Sequence, residues 1–364
     1  MEQIKENRNI SIDIARGIAI ILVVWGHSGF IPIEKVVNLI HLPTFFFISG
    51  FLFSKNQKKN LKCFAIKAFK RLYIPYIIAE MLAIIFRNFL FYIGVYSEFE
   101  PYGGQIIHPF LTVEDGILEM LKSVFLFGRE PIIGSVWFLV TLLILEFLYY
   151  FMHLIFKKWF DDNVYKMEIL FAFFLWVAGL VSEEYFYIGR ITPVLHYWIF
   201  FSIGNINGLR QNQKEAVVNK IVLIVIFAFA MIFKLLQLTV FGPITSLVFL
   251  GGSVSAIGLV MDLSKKLENC TFFSGYLSYM GRNSLYIMII HFLGFKIVSG
   301  LLVCFGVVDY SQLAQEAAGN NTFILSIIYL IGALFFSKLF LKFRKEVYIL
   351  IKSKENVINK GEIR

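Results

Sequence analysis

The sequence predicts an all-α membrane protein: a polytopic membrane helix bundle with about ten transmembrane helices. Hydrophobic residues make up 58% of the 364 residues and charged residues only 16%, and the mean hydropathy is +0.73. A soluble core of this size cannot hide 41 Phe residues. A soluble enzyme, a nucleic-acid-binding domain and a disordered chain are therefore excluded.

Ten stretches are long and apolar enough to cross a bilayer, which takes roughly 20 residues at 1.5 Å each. They cover about residues 12–31, 36–54, 72–95, 135–156, 167–188, 193–209, 217–237, 242–263, 282–305 and 321–341. No repeat or linker divides the chain. We therefore expect one membrane domain over residues 1–364, with spans from about 12 to 341 and a basic cytoplasmic tail over residues 342–364.

The distribution of Lys and Arg predicts the orientation of the bundle. If the N-terminus is cytoplasmic, 26 of the 34 basic residues fall in cytoplasmic segments, seven of them between Lys55 and Arg71. This asymmetry places both termini in the cytoplasm. It also explains the net charge of +9 without a nucleic-acid partner.

The longest outer connection, residues 94–134, contains an amphipathic stretch over residues 112–127 that carries three acidic residues. We expect this stretch to lie at the outer interface as a cap. Cys63, Cys270 and Cys304 are odd in number and fall in predicted cytoplasmic loops or a span, so no disulfide framework is expected, and none has metal-ligand spacing.

Three ionisable residues lie on one face of the first predicted span. At about 100° per residue, the eleven steps from Arg16 to His27 bring both side chains to the same face, and Asp13 joins them three residues earlier. The helical rise puts His27 about 16 Å beyond Arg16, roughly half the bilayer away. This polar stripe therefore runs from the inner surface to the membrane interior.

Such residues are expensive inside a membrane, so each is a candidate for function. His27 can act as an acid–base group or can carry an acyl group transiently, and the sequence does not choose between these roles. Arg16 suits a phosphate or carboxylate that arrives from the cytoplasm, although it can equally neutralise Asp13. In the structural alternative, Asp13 and Arg16 form an interfacial pair and His27 bonds to a neighbouring helix.

Other intramembrane polar residues have simpler interpretations. Glu80 and Arg87 are seven residues apart and share a face, so we expect them to pair. His153 lies close to the inner end of its span, where we expect a snorkelling surface residue. His196, near an outer end, is expected to be structural.

The stretch from His41 to Gly50 combines features of a cavity wall. Pro43 can open the backbone near His41, and the small residues Ser49 and Gly50 let helices approach closely. The aromatic run between them, residues 45–47, is expected to face lipid or to pack against other helices.

Four segments, in this order along the chain, match motifs of one known family. They are Asp13–Gly17 with Gly26–Ser28, His41–Gly50, Lys70–Tyr76 followed by the weaker Ser135–Leu139, and Gly281–Tyr286 with His291. Together they resemble the acyltransferase-3 family of bacterial integral-membrane O-acyltransferases. In detail they are similar to its sugar and polysaccharide O-acetylase branch, of the fucose 4-O-acetylase type.

The resemblance implies a multi-pass enzyme of the bacterial plasma membrane that moves an acetyl group from cytoplasmic acetyl-CoA, without a metal, to a hydroxyl of an envelope glycan or lipid-linked sugar. It implies that Arg16 and His27 are essential, with Asp13 beside them. The substrate-binding candidates on the matching segments are His41, Ser49, Trp137 and His291.

The donor candidates lie before the third span. The family has an Arg-x-x-Arg pattern there, of which Arg71 matches the second Arg, whereas Ala68 takes the place of the first. The neighbouring cations are Lys67 and Lys70, which attract a CoA phosphate as point charges without the fork geometry of Arg. Arg16, Lys67, Lys70 and Arg71 are thus the expected acetyl-CoA-binding residues.

Two other functions also fit the pattern. A multi-span carrier of a sugar or a lipid-linked glycan uses internal His, Glu and Arg residues, but carriers often show two related halves, which this sequence lacks. A non-catalytic scaffold for polysaccharide assembly would tolerate the loss of Arg16 and His27.

Overall fold

The computed structural model describes residues 9–53, 60–95, 101–102, 105–106, 110–160, 163–209, 219–236, 243–309 and 322–361. Within these ranges the chain forms α1 (Ile10–Gly26), α2 (Ile31–Val37), α3 (His41–Phe53), α4 (Leu61–Ala68), α5 (Ile74–Tyr92), α6 (Val113–Val124), α7 (Trp137–Phe160), α8 (Val164–Tyr185), α9 (Ile191–Leu209), α10 (Lys220–Leu235), α11 (Pro243–Glu268), α12 (Thr271–Arg282), α13 (Ser284–Cys304) and α14 (Phe323–Gly361). A π-helix (Phe69–Tyr73) precedes α5, and a 3₁₀-helix (Pro131–Val136) precedes α7. Two-residue strands, β1 (Pro101–Tyr102) and β2 (Gln105–Ile106), pair antiparallel.

Seven helical stretches in the described residues are long and apolar enough to cross a membrane. They are Ile31–Phe53, Leu61–Tyr92, Pro131–Phe160, Val164–Tyr185, Ile244–Glu268, Ser284–Cys304 and Phe323–Ile349. The other three predicted spans correspond to α1, α9 and α10. With 17 and 16 residues, α1 and α10 are short, and His and Asn side chains dilute the apolar character of α9. The protein is a multi-pass all-helical bundle, and the count of ten spans stays a prediction.

Apolar side chains fill the interior of the bundle and also form much of its outer surface. The central helix α1 contacts α2, α3, α11, α12, α13 and α14, and its Ala15, Ala19, Ile20 and Val24 are fully buried. Large apolar side chains on the peripheral helices are exposed, which is the arrangement that a lipid environment favours. Examples are Ile78, Leu82, Ile85, Phe89, Ile221, Val225, Phe229, Phe335 and Leu339.

Glycines permit two close helix crossings. A Cβ on Gly17 would collide with the Leu277 carbonyl, and one on Gly281 would collide with the Asp13 carbonyl. Residue numbers thus rise in α1 as they fall in α12, so these helices run antiparallel. A Cβ on Gly50 would likewise collide with the Phe201 backbone of α9, which confirms the close approach predicted at this glycine.

Some helix boundaries differ from the prediction. Residues 38–40 interrupt the second predicted span and separate α2 from α3. Helix α12 lies where the sequence indicated a basic loop, because its 12 residues include Ser and Gly and are too few for a span. Helix α14 continues through most of the predicted tail to Gly361.

The amphipathic stretch in the long connection contains α6, and its place at the outer interface stays a prediction. Thr112 caps α6: its hydroxyl accepts a hydrogen bond from the backbone N–H of Asp115, and the Asp115 carboxylate accepts one from the backbone N–H of Thr112. The Phe45–Phe47 run is buried, so its role is packing rather than contact with lipid.

Candidate active site

Helix α1 carries the three predicted catalytic residues and holds them at separate depths. Asn9 caps its first turn by accepting a hydrogen bond from the Ile12 N–H, at 3.3 Å. Asp13 is buried and Arg16 half-buried near this end, beside the crossing with α12. His27 is the C-cap residue at the other end. The polar stripe therefore follows the length of α1.

His27 lies beside a second predicted site residue. Its ring centroid is 5.5 Å from that of His291 and 5.0 Å from that of Phe292. Although these rings flank it, the His27 side chain remains exposed. His41 is also close enough to His27 to interact electrostatically. We call His27, His41 and His291 the histidine cluster.

Backbone carbonyls set the tautomers of two rings in this cluster. Nδ1 of His291 lies 2.7 Å from the Met288 carbonyl, and Nδ1 of His41 lies 2.5 Å from the Val37 carbonyl. A carbonyl only accepts, so each Nδ1 carries the proton and leaves Nε2 as an acceptor in the neutral ring. His291 is fully buried, and its Nε2 has no hydrogen-bond partner among the described residues.

The 3₁₀-helix before α7 contacts the same backbone carbonyl as His291. The Ser135 hydroxyl donates to the Met288 carbonyl at 2.6 Å, the same oxygen that His291 contacts. Trp137 follows two residues later and opens α7, with its ring 6.5 Å from that of Tyr197. Trp137 therefore lies two residues from the serine that contacts the His291 turn of α13.

Ser49 lies in another part of the bundle. It is buried two turns further along α3 than His41, in the crossing with α9 that Gly50 permits. Of the four predicted substrate-binding residues, His41 and His291 lie beside His27. Trp137 lies two residues after Ser135, which contacts the helix of His291. Ser49 lies in the crossing of α3 with α9.

The basic segment before α5 has two parts with different surroundings. Lys67 and Lys70 are exposed. Arg71 pairs with both carboxylate oxygens of buried Glu146, with Nη2 2.6 Å from Oε2. Part of the Arg71 charge is therefore used within the bundle, although 40% of its side chain is exposed.

The π-helix around Arg71 has a local cause. Pro75 has no N–H to donate to the Arg71 carbonyl, so the ordinary helical hydrogen bond is missing at that turn. The chain widens into the π-helix there. Arg71 therefore lies within the widened turn of the matched segment Lys70–Tyr76.

Buried polar pairs lie outside the predicted site. The prediction of a surface histidine is wrong for His153, which is buried with Nδ1 2.5 Å from Oε1 of Glu168. The Tyr149 hydroxyl donates to the same carboxylate, and Asn205 donates to the Tyr149 oxygen, each at 3.0 Å. Glu168 on α8 thus pairs with a histidine that hydropathy assigned to the surface, while Tyr149 links this carboxylate to Asn205 on α9.

Arg87 pairs with Glu130, at 3.1 Å, just before the 3₁₀-helix. Glu80 accepts a hydrogen bond from Ser123 at the end of α6. These two contacts attach the long connection to α5. Glu80 and Arg87 were predicted to pair with each other, whereas the structure gives each of them a partner in the connection that was not a sequence candidate. Charged residues in a connection carry no periodic signal that identifies their partners.

The comparisons with known proteins identify the family. The acyltransferase-3 model, described as an acyltransferase domain, matches residues 9–342. The searches of curated proteins and of solved structures gave no match. A match over nearly the whole chain includes α1, the histidine cluster and the basic segment, so this multi-pass membrane protein belongs to the acyltransferase-3 family and is an acyltransferase.

Proposed function

We propose that the protein is an O-acetyltransferase of the bacterial plasma membrane. It moves an acetyl group from cytoplasmic acetyl-CoA to a hydroxyl of an envelope glycan or lipid-linked sugar. The observation that carries this proposal is the geometry of α1, which has a cation near one end and an accessible imidazole, beside a second histidine, at the other.

The reaction must join a donor that stays on the cytoplasmic side to an acceptor on the outer side, and the length of α1 connects the two. The nucleotide of CoA is too highly charged to enter hydrocarbon, whereas many envelope glycans are completed on the outer side. Arg16, Lys67 and Lys70 attract its phosphates at the cytoplasmic face, and Asp13 orients Arg16. The extended pantetheine arm then carries the thioester along α1 towards His27.

His27 acts at the reacting atoms by one of two routes. As a general base, it takes the proton of the acceptor hydroxyl while that oxygen attacks the thioester carbonyl and the CoA thiolate leaves. As a relay, an imidazole nitrogen attacks the carbonyl and the CoA thiolate leaves; the sugar oxygen then attacks the acetyl group, the N–C bond to the imidazole breaks, and the freed imidazole takes the hydroxyl proton. In both routes His291 positions the ring of His27.

Acetyl-radiolabelled acetyl-CoA and extracted envelope glycan test the proposal with membranes that contain the protein. We expect alkali-labile label in the glycan with the wild type and none with Arg16→Ala or His27→Ala. The matched control is Arg129→Ala, because Arg129 is exposed and lies outside the polar stripe. Transfer by folded His27→Ala near the wild-type rate would contradict the role of His27. Acetyl-CoA consumption without a labelled glycan would contradict the acceptor class.

A further inference from the structure

A cavity of about 390 Å³ lies among the ends of five helices. Its lining comes from the start of α7, the end of α8, the start of α9, the end of α10 and the start of α11. Aromatic rings form much of its wall, namely Trp137, Trp176, Tyr187, Tyr197 and Phe249. The volume is at the small end of the range of about 300–1,000 Å³ for small-molecule sites.

Three polar side chains of the lining offer both acceptors and donors. Glu183 Oε2 lies 3.1 Å from His196 Nε2. The Lys234 ammonium lies 5.7 Å from the centroid of the Phe249 ring and interacts electrostatically with Glu183. One carboxylate and one ammonium balance each other, so these two groups favour a neutral ligand over an ion.

The turn between α8 and α9 preorganises this side of the cavity. The hydroxyls of Ser182 and Thr192 are 2.7 Å apart, and the Ile188 N–H donates to Thr192 at 3.0 Å. Gly179 lets α9 approach closely at His196. These contacts hold Glu183 and His196 face to face.

Two residues of the cavity wall connect it to the helices that carry His41 and His291. The Tyr197 ring in its wall stacks on Phe46 of α3 at 4.4 Å. Trp137 follows Ser135, which shares the Met288 carbonyl with His291. The cavity therefore neighbours the histidine cluster, and none of the three clustered histidines is among its lining residues.

We propose that this cavity is a subsite for a neutral pyranose unit of the acceptor glycan; this assignment rests on the proposed function. Aromatic faces such as those of Trp137 and Trp176 pack against the C–H faces of a sugar ring. The Glu183 carboxylate accepts from sugar hydroxyls, while the Lys234 ammonium donates to them. The cavity has room for one or two sugar rings of a longer chain, whose next unit extends towards His27.

Binding without any acyl donor tests this subsite. The full-length protein is placed in lipid nanodiscs free of alkyl maltosides, whose head groups are sugars. Tryptophan fluorescence is titrated with methyl glycosides of glucose, galactose, mannose, fucose and N-acetylglucosamine, and separately with methyl glucuronide and inorganic phosphate. We expect saturable quenching by at least one neutral glycoside, because two Trp rings line the cavity.

Matched variants locate the response. Glu183→Gln and Lys234→Gln each weaken the binding of that glycoside about tenfold, since each removes a charge-assisted hydrogen bond. Glu184→Gln, next in sequence, exposed and outside the lining, leaves the binding unchanged. Absence of saturation with every neutral glycoside, wild-type affinity for the glycoside in both cavity variants, or tighter binding of glucuronate or phosphate would overturn the proposal. Because no donor is present, this result is independent of whether acetyl transfer occurs.

Discussion

At the scale of single residues, one hydrogen bond to the backbone determines the tautomer of His291. The Met288 carbonyl fixes its Nδ1 proton, so Nε2 is an acceptor within the histidine cluster. Replacing His291 with Gln removes this aromatic acceptor. We expect kcat for acetyl transfer to fall roughly 10²-fold, in the range of a misplaced catalytic group, with little change in the KM for acetyl-CoA.

The kcat and KM of His291→Gln are measured at matched protein content, together with its melting temperature. A melting temperature close to that of the wild type separates positioning of His27 from simple loss of folding. A variant that melts normally and keeps wild-type kcat would show that His27 works without His291.

Lys67 and Lys70 are exposed cations whose effect is electrostatic. We expect Lys67→Gln with Lys70→Gln to raise the KM for acetyl-CoA several-fold without lowering the melting temperature. The difference from the wild type should shrink at high ionic strength, because salt screens exposed charges.

The control for this pair is Lys157→Gln with Lys158→Gln, two lysines at the end of α7 outside the basic segment. Kinetics at low and high salt provide the measurement. An equal rise in KM for the control pair would assign the effect to overall charge.

Arg71 differs because its partner is buried. Arg71→Ala leaves the Glu146 carboxylate in the interior without its cation, which costs about 3 kcal/mol and lowers the melting temperature. The double variant Arg71→Met with Glu146→Leu should recover most of this loss, since a packed apolar pair replaces the ion pair. Thermal melts of the three proteins decide the matter, and a double variant as unstable as Arg71→Ala would refute this account.

At the scale of helices, the crossing of α1 and α12 sets the position of Asp13 and Arg16. Gly281→Ala puts a methyl group against the Asp13 backbone, which has no flexible side chain to move aside. We expect loss of several kcal/mol of stability, or failure to accumulate as folded protein, as for other overpacked sites.

Gly275→Ala is the matched control in the same helix, because its Cβ would meet open space. Folded yield and melting temperature by fluorescence-detected size-exclusion chromatography provide the comparison. Similar behaviour of the two variants would mean that α12 does not pack against α1 this closely.

At the scale of the whole molecule, the orientation remains a prediction from the basic residues. Cys63 lies in the basic segment and Cys304 at the end of α13, and both are exposed. In single-cysteine variants on intact cells, a membrane-impermeant maleimide should label Cys304 but not Cys63. Cys63 should react only after permeabilisation, and the opposite pattern would invert the bundle.

The class of the protein and the order of its motifs could be predicted from the sequence, because hydropathy and the Lys and Arg pattern are sums over local residues. The same local logic placed Asp13, Arg16 and His27 on one helix face, since helical period follows from spacing alone. Hydropathy missed α12, which is too short and too polar to register as a span.

The sequence by itself thus determined the membrane class, the acyltransferase resemblance and the polar stripe on α1. Only the tertiary structure decided which partners these residues meet: His291 beside His27, Glu168 beside His153 and Glu146 beside Arg71. It also brought Glu183 and Lys234 to one cavity. The physical reason is that helical periodicity defines which face a residue occupies, whereas close packing between helices distant in sequence defines what that face contacts.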